Sequence, residues 1–151
     1  MDLKIVEIGY VENDVSEQTD LKWGNIKSKI KLANEYVGGL TGLENFSHAI
    51  ILTYLHEAKF IQEKHLERRP RNLPDMPLIG IFSQRAKDRP NPIGLTSVKI
   101  IEVLADTLLV EGLDAINGTP VLDIKPYYPQ YDKVGNAIIP EWVNRLMENY
   151  F

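Results

Sequence analysis

The sequence contains no cysteine, which removes disulfides, thiolate metal sites and cysteine nucleophiles together and leaves stability to a packed core. Histidine is nearly as scarce. The three present, His48, His56 and His65, are scattered and form no His-Glu-x-x-His pair, so no metal is expected. There is no Gly-x-Ser-x-Gly elbow and no Walker-type phosphate loop, which argues against a serine hydrolase and a P-loop nucleotidase. No segment approaches the ~18 consecutive apolar residues of a membrane span. The opening Met-Asp-Leu-Lys-Ile-Val-Glu has neither the basic start nor the apolar run of a signal peptide, and the expectation is a cytoplasmic protein with no membrane partner. Excess positive charge is missing too. With 17 basic against 21 acidic residues the net charge is −4, so any contact with nucleic acid has to come from a local patch.

What is present suits one domain over residues 1–151. A chain of this length buries roughly two thirds of its unfolded surface without staples, and 44% hydrophobic with 25% charged residues is ordinary for a globular protein. Residues 3–11 alternate as a strand with a partly buried second face, which predicts a central place in a sheet. Residues 13–20 are polar and turn-rich, a loop. Ile26, Ser28, Ile30 and Leu32 alternate with Lys27, Lys29 and Lys31, one face to the core and a lysine row in water that would also blunt an edge strand. Within 34–46, Gly38-Gly39-Leu-Thr-Gly42 lacks the Gly-x-Gly-x-x-Gly order and a surrounding βαβ unit, so it predicts a turn and a short helical element. Residues 47–55 and 76–82 read as buried strands, with a loop and one helical turn in 58–74 between them. Residues 97–104 and 107–113 predict a hairpin about Ala105-Asp106. Asn117-Gly118 followed by Pro120 is a turn, and 121–125 a short strand stopped by Pro126. Ile139, Trp142, Val143, Leu146, Met147 and Tyr150 fall at helical spacing and predict an amphipathic helix over 140–149 that packs on the core or on a subunit. Many strands and no strand–helix alternation predict a mainly all-β fold, a single-sheet β-barrel with short helical elements and a C-terminal helix.

The least generic stretch is 83–97, Ser-Gln-Arg-Ala-Lys-Asp-Arg-Pro-Asn-Pro-Ile-Gly-Leu-Thr-Ser, expected as a long loop. Its prolines fix φ at two positions and turn Arg89 and Asn91 away from helix, so it is stiff. Arg85, Lys87 and Arg89 are donors, and Gly94 suits a positive φ or close approach to a ligand. Such a loop fits a binding role as well as it fits a proline-stiffened connection with solvated charges. A second basic cluster, Lys64, Arg68, Arg69 and Arg71, reads as a solvated face. His56-Glu57, polar and at a strand end, are well placed for a site. His48 has no such setting.

Phe82-Ser-Gln-Arg-Ala-Lys-Asp-Arg-Pro-Asn-Pro-Ile-Gly-Leu-Thr, with Gly112-Leu-Asp-Ala-Ile-Asn-Gly-Thr-Pro-Val-Leu-Asp-Ile-Lys-Pro-Tyr after it and Gly39-Leu-Thr-Gly-Leu-Glu-Asn-Phe-Ser-His before it, resembles the TsaA-like (TrmO) family over residues 5–132. The resemblance implies a β-barrel and a homodimer. It also implies S-adenosylmethionine as methyl donor and methylation at N6 of threonylcarbamoyladenosine at position 37 of tRNA. Carried over position by position, it implies cofactor contacts at His56, Glu57, Arg85, Leu95, Asn117, Gly118, Thr119 and Pro120. Where family members carry Pro-Arg-Gln in the early loop, this chain has Glu17-Gln-Thr-Asp-Leu-Lys-Trp23.

Methyl transfer to an amide-like nitrogen needs alignment and a group to take or share the proton. Asp123 is the candidate acceptor, with Lys125 or Tyr127 stabilising charge on the neighbouring carbonyl. The alternative for Asp123 is a structural pair with Lys125 or Arg89. Two other readings of the whole chain stand beside this one: a non-catalytic barrel that binds S-adenosylmethionine or RNA, and a methyltransferase acting on something other than tRNA.

Overall fold

The computed structural model describes residues 1–20 and 22–151. Its described strands are β1 (Gly9–Glu12), β2 (Lys27–Leu32), β3 (His48–Tyr54), β4 (Glu67–Arg68), β5 (Ile79–Gly80), β6 (Ile93–Val103), β7 (Thr107–Glu111) and β8 (Pro120–Pro126). Six of them close an antiparallel barrel in the order β1-β2-β7-β6-β3-β8, and β4 pairs only with β5 outside it. The mainly β barrel is therefore as the sequence predicts.

The period-two patterning explains the closure. On β2, Ser28 and Ile30 point inward and Lys27 and Lys29 outward. Ala49 and Ile51 on β3, Val98 on β6, Leu108 and Val110 on β7, and Val121 on β8 supply matching inward faces, each at most 1% exposed. Full burial of one such aliphatic side chain stabilises by roughly 1.5–3 kcal/mol. Two short 3-10 turns, Asn34–Leu40 and Leu43–Asn45, add Leu40 and Leu43 to this core. Three short α-helices follow in chain order, α1 (Gln62–His65), α2 (Pro129–Asp132) and α3 (Glu141–Met147). Among the described residues no helix is long and apolar enough to cross a membrane.

Several boundaries differ from the sequence reading. The first strand begins at Gly9, not residue 3. Gly9 is already opposite Leu32, the last residue of β2, so nothing on β2 remains for residues 3–7, and Leu3, Ile5 and Val6 are exposed. The lysine row guards no edge, because β2 is paired on both sides. Residues 76–82 are not a barrel strand: Pro77 interrupts the run, only Ile79–Gly80 pairs, and Phe82 is 80% exposed. β6 starts at Ile93, so Gly94 and Leu95 belong to the barrel and the stiff loop ends at Pro92. The C-terminal helix stops at Met147, and Asn149 at φ 61 turns the last residues back toward residues 22–24.

Candidate functional site

In an antiparallel barrel alternate strand ends meet at one mouth. Here these are the ends of β1, β3 and β7 and the starts of β2, β6 and β8. The connections 13–26, 55–92 and 112–119 and the tail after α3 surround that mouth and enclose a cleft of about 1150 Å³. The inward residues change character as they approach it, from aliphatic to Ser28, Thr53, Thr96 and Thr119, all buried. Asn13 ties this rim together: its Nδ2 donates to Ser28 Oγ (2.9 Å) and Ala115 O (2.8 Å).

His56 and Glu57 leave β3 at the cleft wall and are exposed there. The Leu55 N–H donates to Pro92 O (2.8 Å), fastening the strand end to the Arg-Pro-Asn-Pro turn. Arg85 Nη2 donates to Leu95 O at 2.7 Å, so two of the predicted contacts are clamped to each other. Gly94 lies opposite Thr53, without a positive φ. A Cβ there would collide with Thr53 Oγ1 and approach Leu55 Cδ2 to 3.1 Å, so the glycine admits protein neighbours. In the last turn Asn117 N–H donates to Val15 O (2.7 Å), Gly118 takes φ +85 and donates to Val11 O (2.7 Å), and Thr119 Oγ1 donates to Ile116 O (2.7 Å). Of Asn117, Gly118, Thr119 and Pro120, only Thr119 lines the cleft. His56, Glu57, Arg85, Leu95 and Thr119 thus share one cavity.

Asp123 and Lys125 are not brought into it. They stand two residues apart on β8 in a 2.6 Å ion pair, the structural alternative that the sequence allowed, and this pairing holds the Lys125 ammonium above its ordinary range. Asp123 lines a separate groove of about 410 Å³ with Ile8, Leu32, Tyr36, Leu40 and Leu43. Tyr127 is also remote from the cleft, edge-on to exposed His48.

Most of the arginines are internal fasteners. Arg69 donates to Met76 O, Arg71 Nη2 to Leu146 O (2.7 Å), and Arg89 Nη1 to Gln84 O (3.0 Å) and Ala86 O (3.3 Å). Asp88 collects Lys59 N–H (2.9 Å), Lys87 Nζ (3.2 Å) and, more distantly, Arg68 (3.7 Å) and His65 (4.0 Å). Burial pushes its carboxyl up, but the Lys59 amide and the Lys87 ammonium outweigh that and hold it below the ordinary range. In the second cluster Arg68, Arg69 and Arg71 are thus engaged by protein groups, while Lys64 is exposed, so the solvated face its spacing suggested holds only in part.

Residues that the sequence reading passed over complete the cleft. Trp23, 3% exposed, donates its Nε1–H to Thr19 O (2.9 Å), placing the early loop on the cleft wall. Leu21 of that loop lies outside the described residues. Gln84 Nε2 donates to Arg68 O (3.1 Å) and Ile79 O (3.3 Å), two carbonyls that fix the amide orientation, while Gln84 Oε1 and Arg68 Nε are buried without a partner among the described residues. Asp114 accepts hydrogen bonds from Thr96 and from Tyr150. Tyr150 was hidden in the apparent helical stripe, whereas Asp114 had a readable signal: like His56-Glu57 it is a polar residue just past a β-rich run.

Fold and cleft together define a small closed β-barrel with a large cleft at one mouth. The family model for the tRNA-methyltransferase O N-terminal domain matches residues 10–133, and the chain belongs to this family. It is 37% identical over 139 residues to a probable S-adenosyl-L-methionine-binding protein of Methanothermobacter thermautotrophicus, covering 89% of this chain and 97% of that one. It is 38% identical over 115 residues to the tRNA (adenine(37)-N6)-methyltransferase of Homo sapiens, covering 76% of this chain and 26% of that protein. The crystal structure of TrmO from Pseudomonas aeruginosa superposes with a TM-score of 0.75 at 31% identity, covering 94% of this chain and 62% of that one.

Proposed function

We propose that the protein is an S-adenosylmethionine-dependent methyltransferase that modifies N6 of threonylcarbamoyladenosine at position 37 of tRNA. The observation that carries this reading is the meeting of His56, Glu57, Arg85, Leu95 and Thr119 in one cleft at the barrel mouth. The cleft fits such a donor in size. It also fits in chemistry, with a carboxylate, Asp114, that lines the cleft and has no ion-pair partner among the described residues. The family relatives that bind S-adenosylmethionine and methylate adenine 37 support both the donor and the substrate.

Bound in the cleft, S-adenosylmethionine supplies an electrophilic methyl group on a sulfonium. The chain's own task is alignment, which contributes up to ~7–11 kcal/mol in favourable cases. Arg85 holds the Leu95 carbonyl in place, the Arg-Pro-Asn-Pro turn is fastened to Leu55, and the 117–119 turn is bonded to Val11 and Val15, so the walls are set before a ligand arrives. The nitrogen that receives the methyl group needs its proton accepted. Glu57 takes that role: it is exposed on the cleft wall and makes no ion pair among the described residues, whereas Asp123 is engaged by Lys125. The protein acts in the cytoplasm as a homodimer, a state supported by the exposed apolar side chains Tyr54, Ile93, Leu95 and Ile101 on neighbouring strands β3 and β6.

Incubation with methyl-labelled donor and total tRNA lacking the modification tests the reading. Label in RNase-sensitive material at adenosine 37 is expected. Donor binding without incorporation would indicate the non-catalytic barrel, and label surviving RNase a different substrate.

A further inference from the structure

We propose that Asp114 anchors the α-ammonium group of the methyl donor's amino-acid arm, with Thr96 and Tyr150 as the hydroxyls that position its carboxylate. This rests on the donor-site reading above and assigns one end of the donor within it.

Asp114 follows β7 at the polar mouth and lines the cleft. One carboxylate oxygen accepts the Thr96 hydroxyl, and the other accepts the Tyr150 hydroxyl at 2.6 Å. Both partners are neutral. Asp114 makes no ion pair among the described residues, so its hydrogen-bonded carboxylate lines the cleft without a cationic partner there. The other cleft carboxylates are placed differently: Asp88 faces Lys87 and Arg68, Asp20 faces Arg71 at 3.7 Å, and Glu57 is exposed to water.

The two hydroxyls are well held. Thr96 is 7% exposed. Tyr150 is fixed through its backbone, since Trp23 N–H donates to its carbonyl at 2.7 Å and Lys22 N–H to that of Asn149 at 2.8 Å. Burial first, and then the neighbouring Asp114 charge, drive the phenol well above its ordinary range, so it remains a donor. An ionised carboxylate offers about four acceptor sites. With two occupied, one is left on each oxygen.

The ligand group that answers both the charge and this geometry is a compact cation with several N–H donors. An α-ammonium meets those terms. A sulfonium carries charge without N–H groups, and an adenine amino group carries N–H groups without charge.

The test is calorimetric titration with two nucleosides, S-adenosylhomocysteine, which has the ammonium and no sulfonium, and 5′-methylthioadenosine, which lacks the amino-acid arm. Asp114→Asn removes the charge and keeps an acceptor for one of the two hydroxyls. It is expected to weaken S-adenosylhomocysteine about tenfold or more while leaving methylthioadenosine within about twofold, as for loss of one charge-assisted contact. Tyr150→Phe, which removes one positioning hydroxyl, is expected to weaken S-adenosylhomocysteine about threefold with the same selectivity, and it carries the test if Asp114→Asn melts too low to assay. Equal weakening of both ligands, or unchanged S-adenosylhomocysteine affinity, overturns the inference and leaves the donor site standing. Wild-type protein that binds neither ligand overturns the donor-site reading, and this assignment with it.

Discussion

The two mouths of the barrel are closed by opposite means. At one, Leu40 and Leu43 join Ile8, Leu32 and Ile124 around an apolar groove beneath the short turns of 34–45. At the other, the inward positions are Ser28, Thr53, Thr96 and Thr119, and the long 55–92 connection folds over them. A Cβ at Gly39 meets nothing within 4 Å, whereas one at Gly94 would collide with Thr53. Aliphatic closure stabilises without asking for partners. Hydroxyl closure requires every buried polar atom to be satisfied, and among the described residues Gln84 Oε1 and Arg68 Nε have no partner. The first mouth stabilises the barrel, and the second trades some of that stability for a site.

The sharpest way to break this contrast is through one carboxylate on each side. Glu57→Gln at the cleft is expected to lower methyl transfer to tRNA about 100-fold or more, the range for loss of a general base, with the melting temperature unchanged. Asp123→Asn at the groove is expected to keep the rate within about threefold, because it loses an exposed ion pair. Single-turnover rates with saturating donor decide it. The reverse ranking would move the proton acceptor to the outer face of β8.

A pair of glycine substitutions tests packing. Gly94→Val inserts a branched side chain against Thr53 and Leu55 and is expected to destabilise by ~1–3 kcal/mol, the usual range for overpacking. Gly39→Val projects into open space and is expected to change stability by less than about 1 kcal/mol, mainly through local propensity. Urea titrations at constant m-value provide the measurement. Equal effects would mean that the polar mouth is not tightly packed.

What was legible in the sequence follows the same line. Barrel strands with one face in the core were readable because burial alternates at period two, as in β2, β3 and the β6–β7 hairpin. Residues 3–7 alternate as well, but a strand also needs a partner, and pairing depends on where β2 ends. The candidate site was half readable. Of the residues the motif resemblance singles out, His56, Glu57, Arg85, Leu95 and Thr119 line one cleft, whereas Asn117, Gly118 and Pro120 do not. Asp123 was misdirected because a residue's place in a motif does not tell which face of a strand it occupies once a register shift intervenes, as between Leu52 and Thr53 on the partner strand. Asp114 and Tyr150 are far apart in the chain, and only the tail's turn at Asn149 joins them.

The cations at the cleft separate into those turned inward as fasteners and those that pair at the surface and still reach water. Lys87 keeps 44% of its side chain exposed, and its loss is expected to reduce the salt slope of tRNA binding by about one unit with little effect on melting. Arg89→Ala removes the donor shared by the Gln84 and Ala86 carbonyls. It is expected to destabilise by ~1 kcal/mol while leaving the salt slope unchanged. Binding measured across a salt series, beside melts of the same proteins, distinguishes the two roles.

The smallest expected effect is a pH step confined to the cleft mouth. Asp88 joins the 58–65 segment to the Arg-Pro-Asn-Pro loop, and its carboxyl lies below the ordinary 3.8 in the folded protein. A lowered folded pKa contributes stability that is complete above the unfolded value and is lost as pH falls through the folded one. The contribution is therefore complete at neutral pH, begins to fade as pH approaches the ordinary 3.8 and is lost as pH falls on through the folded value. The Lys59 amide, which donates to Asp88 Oδ1, reports it directly. Its proton resonance is expected to shift with a midpoint below 3.8, and the shift should disappear in Asp88→Asn. A midpoint above 3.8 would mean that burial outweighs the Lys59 and Lys87 donors, and that the two cleft loops are pinned together less firmly than their hydrogen bonds suggest.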